Sequence, residues 1–100
     1  MSTLHIVSSS VFRTEALQRA IQLARSGDAI LLIEDGVYGA TDAPATKTLL
    51  SALQSDVALH VLAEDLAARA LPARLAEFVE VSYAGFVDLV CQHNNSVNWS

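Results

Sequence analysis

Four acidic residues at the ends of two apolar runs have the chemistry of a binding site: Glu34, Asp35, Glu64 and Asp65. The two runs, 29–33 and 57–62, are short, apolar and bounded by turn residues, which is typical of strands buried in a parallel sheet. In such sheets, ligands bind outside the carboxyl ends of the strands, where these acids are expected. Because Mg²⁺ prefers carboxylate oxygens, one hypothesis is a cation-binding, receiver-like module.

Two features of the sequence oppose that hypothesis. A phospho-receiver domain needs acids after its first strand, and here the predicted first strand is followed by the serine run 8–10. It also needs a lysine at a later strand end, whereas Lys47 falls in a predicted helix. The favoured interpretation is that Asp35 and Asp65 cap the turn and the helix that follow them, with both glutamates solvated.

The serine run 8–10 also lies where a phosphate-binding loop would lie in such a sheet. It contains no glycine and forms no Walker or GxGxxG pattern, so its backbone offers no evident cradle for a phosphate. We expect these hydroxyl groups to serve a turn and a helix cap.

Cys91 is the single cysteine of the chain and the one candidate catalytic nucleophile. A reactive thiolate is favoured at a helix N-terminus or beside a cation, but Cys91 falls near the C-terminal end of a predicted helix. We therefore expect a half-buried structural cysteine, with a persulfide-accepting role as the alternative. His5, His60 and His93 show no metal-ligand spacing, so neither a metal nor a cofactor is expected.

The first half of the chain predicts strands that alternate with helices. A first strand covers 4–7, and the run 29–33 is the central strand. Between them, from about Ser10, apolar residues recur at helical spacing and predict one buried stripe: Leu17, Ala20, Ile21 and Ala24. Pro44 is a good first-turn residue for a second helix, with Asp42 as its cap.

The second half continues the same alternation. After the strand 57–62, a short third helix covers 66–70 and ends before Pro72. A fourth strand covers 78–81, near the edge of the sheet, and 97–99 returns as a short edge strand. The last helix carries an apolar stripe: Tyr83, Phe86, Val87 and Val90.

This alternation implies right-handed βαβ crossovers and a parallel sheet. We predict one α/β domain over residues 1–100, with a flavodoxin-like three-layer structure of four to five parallel strands and helices on both faces. The compact strand order for this class is 2-1-3-4, with room for a fifth strand.

Composition favours a subunit that hides one face in a partner over a soluble protein with a rather apolar exterior. Hydrophobic residues make up 52% of the chain and charged residues 17%, against roughly 25% charged in ordinary soluble domains. A net charge of −5 and the absence of a Lys/Arg cluster argue against direct nucleic-acid binding. One cysteine, no secretory signal and no apolar stretch near the roughly 20 residues of a membrane span predict a cytoplasmic protein.

Several motifs follow one another along nearly the whole chain: Leu4-His5 before the serine run, Gly27-Asp28 through Leu31-Leu32 to Glu34-Asp35-Gly36-Val37, Val61-Leu62 with Asp65-Leu66-Ala67-Ala68-Arg69, Tyr83-Ala84-Gly85-Phe86-Val87-Asp88-Leu89, and Trp99. Their order and the chain length resemble the DsrH/TusB family of small sulfur-relay subunits. Each motif alone is weak, and the specificity of the resemblance comes from their order.

The resemblance implies a flavodoxin-like subunit that joins two related subunits, DsrE/TusD-like and DsrF/TusC-like, in a dimer of heterotrimers. Such complexes pass persulfide sulfur from a small donor protein to an acceptor. The Tus branch leads to 2-thiolation of a tRNA wobble uridine, and the Dsr branch serves sulfur oxidation. The cysteine that carries sulfur belongs most clearly to the DsrE/TusD-like partner.

Two positions depart from the family pattern. Some DsrH members carry a cysteine in the first helix, where this chain has Ala20. That difference lowers the expectation of a sulfur-carrying role and brings the chain closer to TusB. The family usually has a glycine after the arginine of the third helix, where this chain has Ala70, which suggests a different exit towards Pro72.

We therefore predict a non-catalytic subunit of a heteromeric sulfur-relay complex, with no direct contact to nucleic acid or membrane. Whether the isolated chain forms a homo-oligomer stays open. Exposed aromatic side chains are better interface anchors than exposed charges. The predicted interface comprises the region after Gly36 and four aromatic residues: Tyr38, Tyr83, Phe86 and Trp99.

Overall fold

A five-stranded parallel sheet lies at the centre of the molecule. The computed structural model describes residues 2–54, 56–71 and 75–100. Its strands are β1 (Thr3–Val7), β2 (Ala29–Leu32), β3 (Ala58–Leu62), β4 (Val79–Val81) and β5 (Asn95–Trp99). Its α-helices are α1 (Ala16–Leu23), α2 (Pro44–Leu50), α3 (Ala63–Ala68) and α4 (Tyr83–Gln92), and a 3₁₀ segment covers Glu34–Ala40.

The predicted α/β class is confirmed, but the strand order 2-1-3-4 is wrong, because the order is β4-β3-β2-β1-β5. β3 pairs with β2 and not with β1. The chain steps in one direction from β1 to β4, so right-handed crossovers place α1, α2 and α3 on one face. The return from β4 to β5, beside β1, reverses the direction and places α4 on the other face.

The face that carries α1, α2 and α3 holds the larger apolar core. The predicted stripe of α1 is confirmed, because each of its four residues is 5% exposed or less. The stripe packs against alternate residues of the sheet: Val7, Ile30, Leu32, Leu59 and Val61. Phe78, immediately before β4, is fully buried in the same cluster.

The opposite face carries α4 and a much smaller core. Leu89 of α4 packs with Leu4 and Leu31, and Phe86 is a partly buried neighbour of this cluster. β2 contributes to both cores, since all four of its residues are buried. The central strand was therefore predicted correctly as a strand covered on both faces.

Local details of the helices differ from the sequence-based expectations. Helix α1 begins at Ala16 and not near Ser10, because Ser10 instead starts a turn whose carbonyl oxygen accepts the N–H groups of Arg13 and Thr14. Pro44 begins α2 as predicted, but Asp42 does not cap it. The Asp42 carboxylate instead pairs with Lys47 Nζ at 2.8 Å.

The other differences lie near the carboxyl end of the sheet. Beyond Gly36 the sequence shows no regular pattern before Pro44, but residues 37–40 continue the 3₁₀ segment that begins at Glu34. Helix α3 begins at Ala63, three residues earlier than predicted, and Pro72 lies outside the described residues. The longest described helix, α4, has ten residues, and none of the helices in the described ranges is long and apolar enough to cross a membrane.

Replacing Ala70 by glycine is expected to stabilise the chain. Ala70 has φ +49°, the left-handed conformation that a glycine would adopt freely. Relief of a cost of about 1–2 kcal/mol exceeds the cost of about 0.4–1 kcal/mol that glycine adds by loosening the unfolded chain. Chemical denaturation of Ala70→Gly should show a gain of roughly 0.5–1 kcal/mol in the free energy of unfolding.

Ala68→Gly is the matched control for that measurement, since Ala68 is exposed and lies within α3. Glycine at a helical position costs about 1 kcal/mol relative to alanine, so this variant should lose stability. Equal losses in both variants would contradict a strained Ala70.

Candidate functional site

The four strand-end acids lie near the carboxyl edge of the sheet. The carboxylates of the two aspartates are already paired with other groups of the chain. Arg69, the residue that follows α3, binds Asp35 Oδ1 through Nε at 3.0 Å and through Nη2 at 2.9 Å. Its Nη1 lies 3.8 Å from Asp65 Oδ1. Asp65 Oδ2 accepts the backbone N–H of Glu34 at 2.6 Å. Asp35 and Asp65 therefore tie the 3₁₀ segment to α3. The expectation that they cap the following turn and helix is wrong, because neither element has a side-chain cap among the described residues.

Glu64 was expected to be solvated, but its side chain instead forms a hydrogen bond at the start of α4. Its Oε2 accepts the backbone N–H of Tyr83 at 3.2 Å, and Ser82 Oγ accepts the N–H of Gly85 at 3.3 Å. Across residues 2–54, 56–71 and 75–100, no three His, Cys, Asp or Glu side chains form a group that could hold a metal ion. The arrangement gives the cation-binding hypothesis no support.

The serine run forms local hydrogen bonds, as expected for a turn. Ser10 Oγ accepts the N–H of Phe12 at 3.1 Å, and Ser9 Oγ lies 2.8 Å from Thr14 Oγ1. Thr14 Oγ1 in turn accepts the N–H of Ala16 at 3.2 Å, at the start of α1. The hydroxyl groups of Ser9, Ser10 and Thr14 therefore form hydrogen bonds within the turn and at the start of α1.

Cys91 is exposed, so the expectation of a half-buried cysteine is wrong. It lies in the last turn of α4. His93 follows this helix, and its Nδ1 lies 2.9 Å from Ser2 Oγ. The geometry therefore makes Cys91 accessible without placing an activating contact beside it in the described part of the chain.

The histidines form no common site in the described residues. His5 is 4% exposed and its Nε2 lies 3.0 Å from Asp28 Oδ2, inside the fold. His60 of β3 is half-buried, and its buried Nδ1 has no hydrogen-bond partner among the described residues. Burial, and secondarily the nearby His93, lower the pKa of His60 below its usual value of 6.5.

This lowered pKa predicts that the chain loses stability as the pH falls below about 6.5. In that range the unfolded state takes up a proton at His60 that the folded state does not, so protons favour unfolding. The melting temperature should fall between pH 7.5 and pH 5.5, and His60→Leu should reduce that fall. His93→Asn should retain most of it, because burial is the larger cause. An unchanged pH dependence in His60→Leu would contradict this assignment.

The four predicted interface aromatics occupy different surroundings. Tyr38 is half-buried in the 3₁₀ segment, and Phe86 is partly buried against the core beneath α4. Trp99 packs partly against the larger core and donates its Nε1–H to His5 Nδ1 at 3.2 Å. Tyr83 is 56% exposed. Of the four, Tyr83 presents most of its side chain to solvent.

Tyr83 belongs to an apolar surface that we call the α4 surface and define by four residues: Val79, Tyr83, Val87 and Val90. Val87 is 62% exposed and Val90 is 42% exposed. Val79, on β4, is 57% exposed. It lies on the same sheet face as α4, because Val81, two residues along the strand, packs in the core beneath α4. Large exposed apolar patches mark interaction sites.

The sequence signal for this surface was the apolar stripe of the last helix. The sequence did not show which residues of that stripe are buried and which are exposed. Phe86 and Leu89 contact the sheet, whereas most of the stripe faces away from it. Val79 was not among the predicted site residues. Its apolar side chain on an edge strand, beside an excess of apolar residues, is the signal that could have identified it.

Known proteins are similar to this chain over nearly its whole length. The family model described as DsrH like protein matches residues 9–96. Protein TusB of Erwinia tasmaniensis is 35% identical over 97 residues, which cover 96% of this chain and 99% of that protein. Protein TusB of Yersinia pestis strain Pestoides F is 36% identical, with the same coverage of both chains.

A solved structure has the same fold. The crystal structure of the ychN protein from E. coli gives a TM-score of 0.73 over 99% of this chain and 100% of that chain. Its sequence identity is 11%, so the likeness concerns the fold. The family model and the TusB relatives extend the likeness to the sequence, and on that evidence this chain belongs to the DsrH/TusB family.

Proposed function

We propose that this chain is a non-catalytic subunit of a heteromeric sulfur-relay complex that passes persulfide sulfur towards 2-thiolation of a tRNA wobble uridine. Membership of the DsrH/TusB family supports the sulfur-relay role. The observation that carries the subunit role is the α4 surface, which the chain leaves exposed.

The polar groups of the chain support a non-catalytic role. Arg69 pairs with Asp35 and lies close to Asp65, and His5 is held by Asp28 inside the fold. Position 20, where some DsrH members carry a cysteine, holds an alanine that is fully buried in the larger core. Sulfur chemistry in the complex is therefore assigned to a partner subunit.

The proposed occupants of the α4 surface are the related subunits of the complex, one DsrE/TusD-like and one DsrF/TusC-like. Its four side chains are apolar, and one is an aromatic residue of the kind that anchors protein interfaces. The Tyr83 ring lies at the first position of α4, whose N-terminus is bonded to Glu64. This bond holds the anchor on a fixed element before a partner arrives.

A net charge of −5 supports the proposal that another chain of the complex contacts the tRNA. Nucleic-acid binding needs cationic side chains grouped on one surface. Arg69 is paired with Asp35, and Lys47 with Asp42. The proposed contribution of this subunit is therefore to assemble and position its partners.

Native mass spectrometry tests the proposal. The tagged chain is co-expressed with the DsrE-like and DsrF-like proteins of the same genome, and the purified complex is loaded with a persulfide donor. We expect one assembly that contains all three chains, with the added sulfur on a cysteine of a partner. Recovery of this chain without either partner would overturn the proposal.

A second candidate function rests on the exposure of Cys91. In that role the Cys91 thiolate accepts the terminal sulfur of a donor persulfide, which leaves a persulfide on Cys91 and a thiol on the donor. The loading experiment distinguishes the two functions, because a sulfur-carrying Cys91 gains about 32 Da. Cys91→Ser is the control, and absence of the adduct on wild-type Cys91 excludes the second function.

A further inference from the structure

A buried cluster joins the C-terminal strand to the centre of the sheet. His5 of β1 is 4% exposed, and Asp28, immediately before β2, is 7% exposed. Asp28 Oδ2 lies 3.0 Å from His5 Nε2, and Trp99 of β5 donates its Nε1–H to His5 Nδ1 at 3.2 Å. The imidazole thus bridges a carboxylate and an indole across neighbouring elements.

These contacts determine which imidazole nitrogen carries the hydrogen. An ionised carboxylate only accepts and an indole only donates, so neutral His5 carries its hydrogen on Nε2 and leaves Nδ1 as the acceptor for Trp99. Both ring nitrogens are occupied, and no acceptor position is left for a substrate proton. The cluster is therefore suited to holding β5 and not to general base catalysis.

Hydrogen bonds hold Asp28 in its ionised form. Burial alone raises the pKa of Asp28, but hydrogen bonds from the Arg25 backbone, His5 and the Thr3 backbone outweigh burial and lower the pKa below its usual value. The Arg25 and Thr3 N–H groups both lie 2.9 Å from its carboxylate oxygens. His5 Nδ1 is therefore the position in this cluster that would take an added proton.

We propose that His5 and Trp99 form a proton-sensitive latch, in which protonation of His5 Nδ1 displaces the Trp99 indole and loosens β5 from β1. After protonation, the imidazolium N–H and the indole N–H point at each other across the 3.2 Å contact, and neither group can accept. The two rings are nearly parallel, with an interplanar angle of 17° and centroids 6.3 Å apart, which is slightly beyond the roughly 6 Å within which a ring face attracts a cation.

Besides its five-residue ladder with β1, β5 contacts the larger core of the described structure through Trp99. It is an edge strand that pairs with β1, and four of its five residues are exposed. Trp99 is the β5 residue that packs against the larger core in the described structure. Beyond the β1 ladder, the Ser8 backbone N–H and side chain approach the Trp99 carbonyl oxygen at 3.1 and 3.4 Å.

The charged groups near His5 come from one loop. Asp28 and Arg25 precede β2 and line the same cleft as His5 and Trp99. β5 carries no charged residue, and α1 contributes Leu23 to the cleft wall. The Asp28 carboxylate and the Arg25 guanidinium are thus the charged groups that line this cleft in the described structure.

Trp99 fluorescence tests the latch directly, because it is the single tryptophan of the chain. Its emission is followed between pH 8 and pH 5 beside the far-ultraviolet circular dichroism and the His5 ring-proton shifts. We expect a step in Trp99 emission that coincides with the His5 titration while the circular dichroism keeps its helical signal. Amide exchange in β5, corrected for intrinsic rates, should rise at least tenfold relative to β2 across the step.

His5→Gln is the matched variant, since a glutamine amide can accept from Trp99 and donate to Asp28 without titrating. It should remove the step, whereas His60→Gln should keep it. The proposal is overturned if Trp99 emission stays constant while His5 titrates, if His5→Gln keeps the step, or if the whole chain unfolds in the same step.

Discussion

A Val87→Asp variant is expected to bind its partner subunits at least 30-fold more weakly than the wild-type chain while keeping its fold. Val87 is 62% exposed on the α4 surface, so an aspartate there meets water in the free chain. In the assembled complex, the same carboxylate would be removed from water against apolar side chains without a counter-ion. Burial of this unpaired charge should cost about 2 kcal/mol or more, which corresponds to a loss of roughly 30-fold.

Titration of the labelled chain with the purified DsrE-like and DsrF-like pair measures this effect. Gln18→Asp is the matched control, because it adds the same charge at an exposed position of α1, on the other face of the sheet. The control should bind like the wild type, and both variants should show wild-type circular dichroism. Equal weakening by the two variants, or undiminished binding by Val87→Asp, would exclude the α4 surface as the partner site.

A Gly36→Ala variant is expected to lose about 3 kcal/mol or more of folding stability. A Cβ atom at position 36 would lie 2.1 Å from the carbonyl oxygen of Val7 and 2.8 Å from its carbonyl carbon. Both atoms belong to the backbone of β1, and that oxygen also accepts the N–H of Ile33 at 2.9 Å. The obstacle therefore cannot rotate away as a side chain could, and the 3₁₀ segment must shift from the sheet.

Two further glycines separate the causes in a urea-denaturation series. Gly27 has φ +87° with no atom within 4 Å of an added Cβ, so Gly27→Ala should cost only the conformational penalty of about 1–2 kcal/mol. At Gly39, the nearest atom is the Leu17 Cδ2 methyl at 2.9 Å, which can adjust, so Gly39→Ala should fall between the two. A Gly36→Ala variant as stable as Gly27→Ala would show that the contact with Val7 is not limiting.

Local chemistry made the elements around the larger core predictable. Helical spacing of apolar residues identified the stripe of α1, because a helix buried on one side repeats apolar residues every three or four positions. An uninterrupted apolar run identified β2, because a strand buried on both faces is apolar at every position. Pro44 marked the first turn of α2, since its fixed φ and missing N–H suit that position. These features depend on neighbours a few residues apart along the chain.

The strand order and the 3₁₀ segment were not predictable in the same way. A crossover can step to either side of a strand, and the alternation of strands and helices does not record which side was taken. The 3₁₀ segment depends on Gly36 packing against β1 and on Asp65 accepting the Glu34 N–H. These partners lie 29 and 31 residues away in sequence.

For the candidate site as well, residue types were predictable from the sequence, whereas burial depended on the tertiary structure. Tyr83 was named from its residue type, but only the packing of Phe86 and Leu89 against the sheet shows that Val87 and Val90 face away from it. Phe86 and Trp99 were named for the same reason, and each packs partly against the chain's own core. Whether any of these aromatics contacts a partner stays a prediction.

By itself, the sequence determined the fold class, the family resemblance and the presence of more apolar residues than a small domain buries. Tertiary structure alone decided which apolar residues stay exposed, because α4 packs on the sheet through Phe86 and Leu89 and leaves its other apolar side exposed. It also decided the roles of the polar residues. Asp28, His5 and Trp99 lie far apart in sequence, and they meet because β5 returns beside β1.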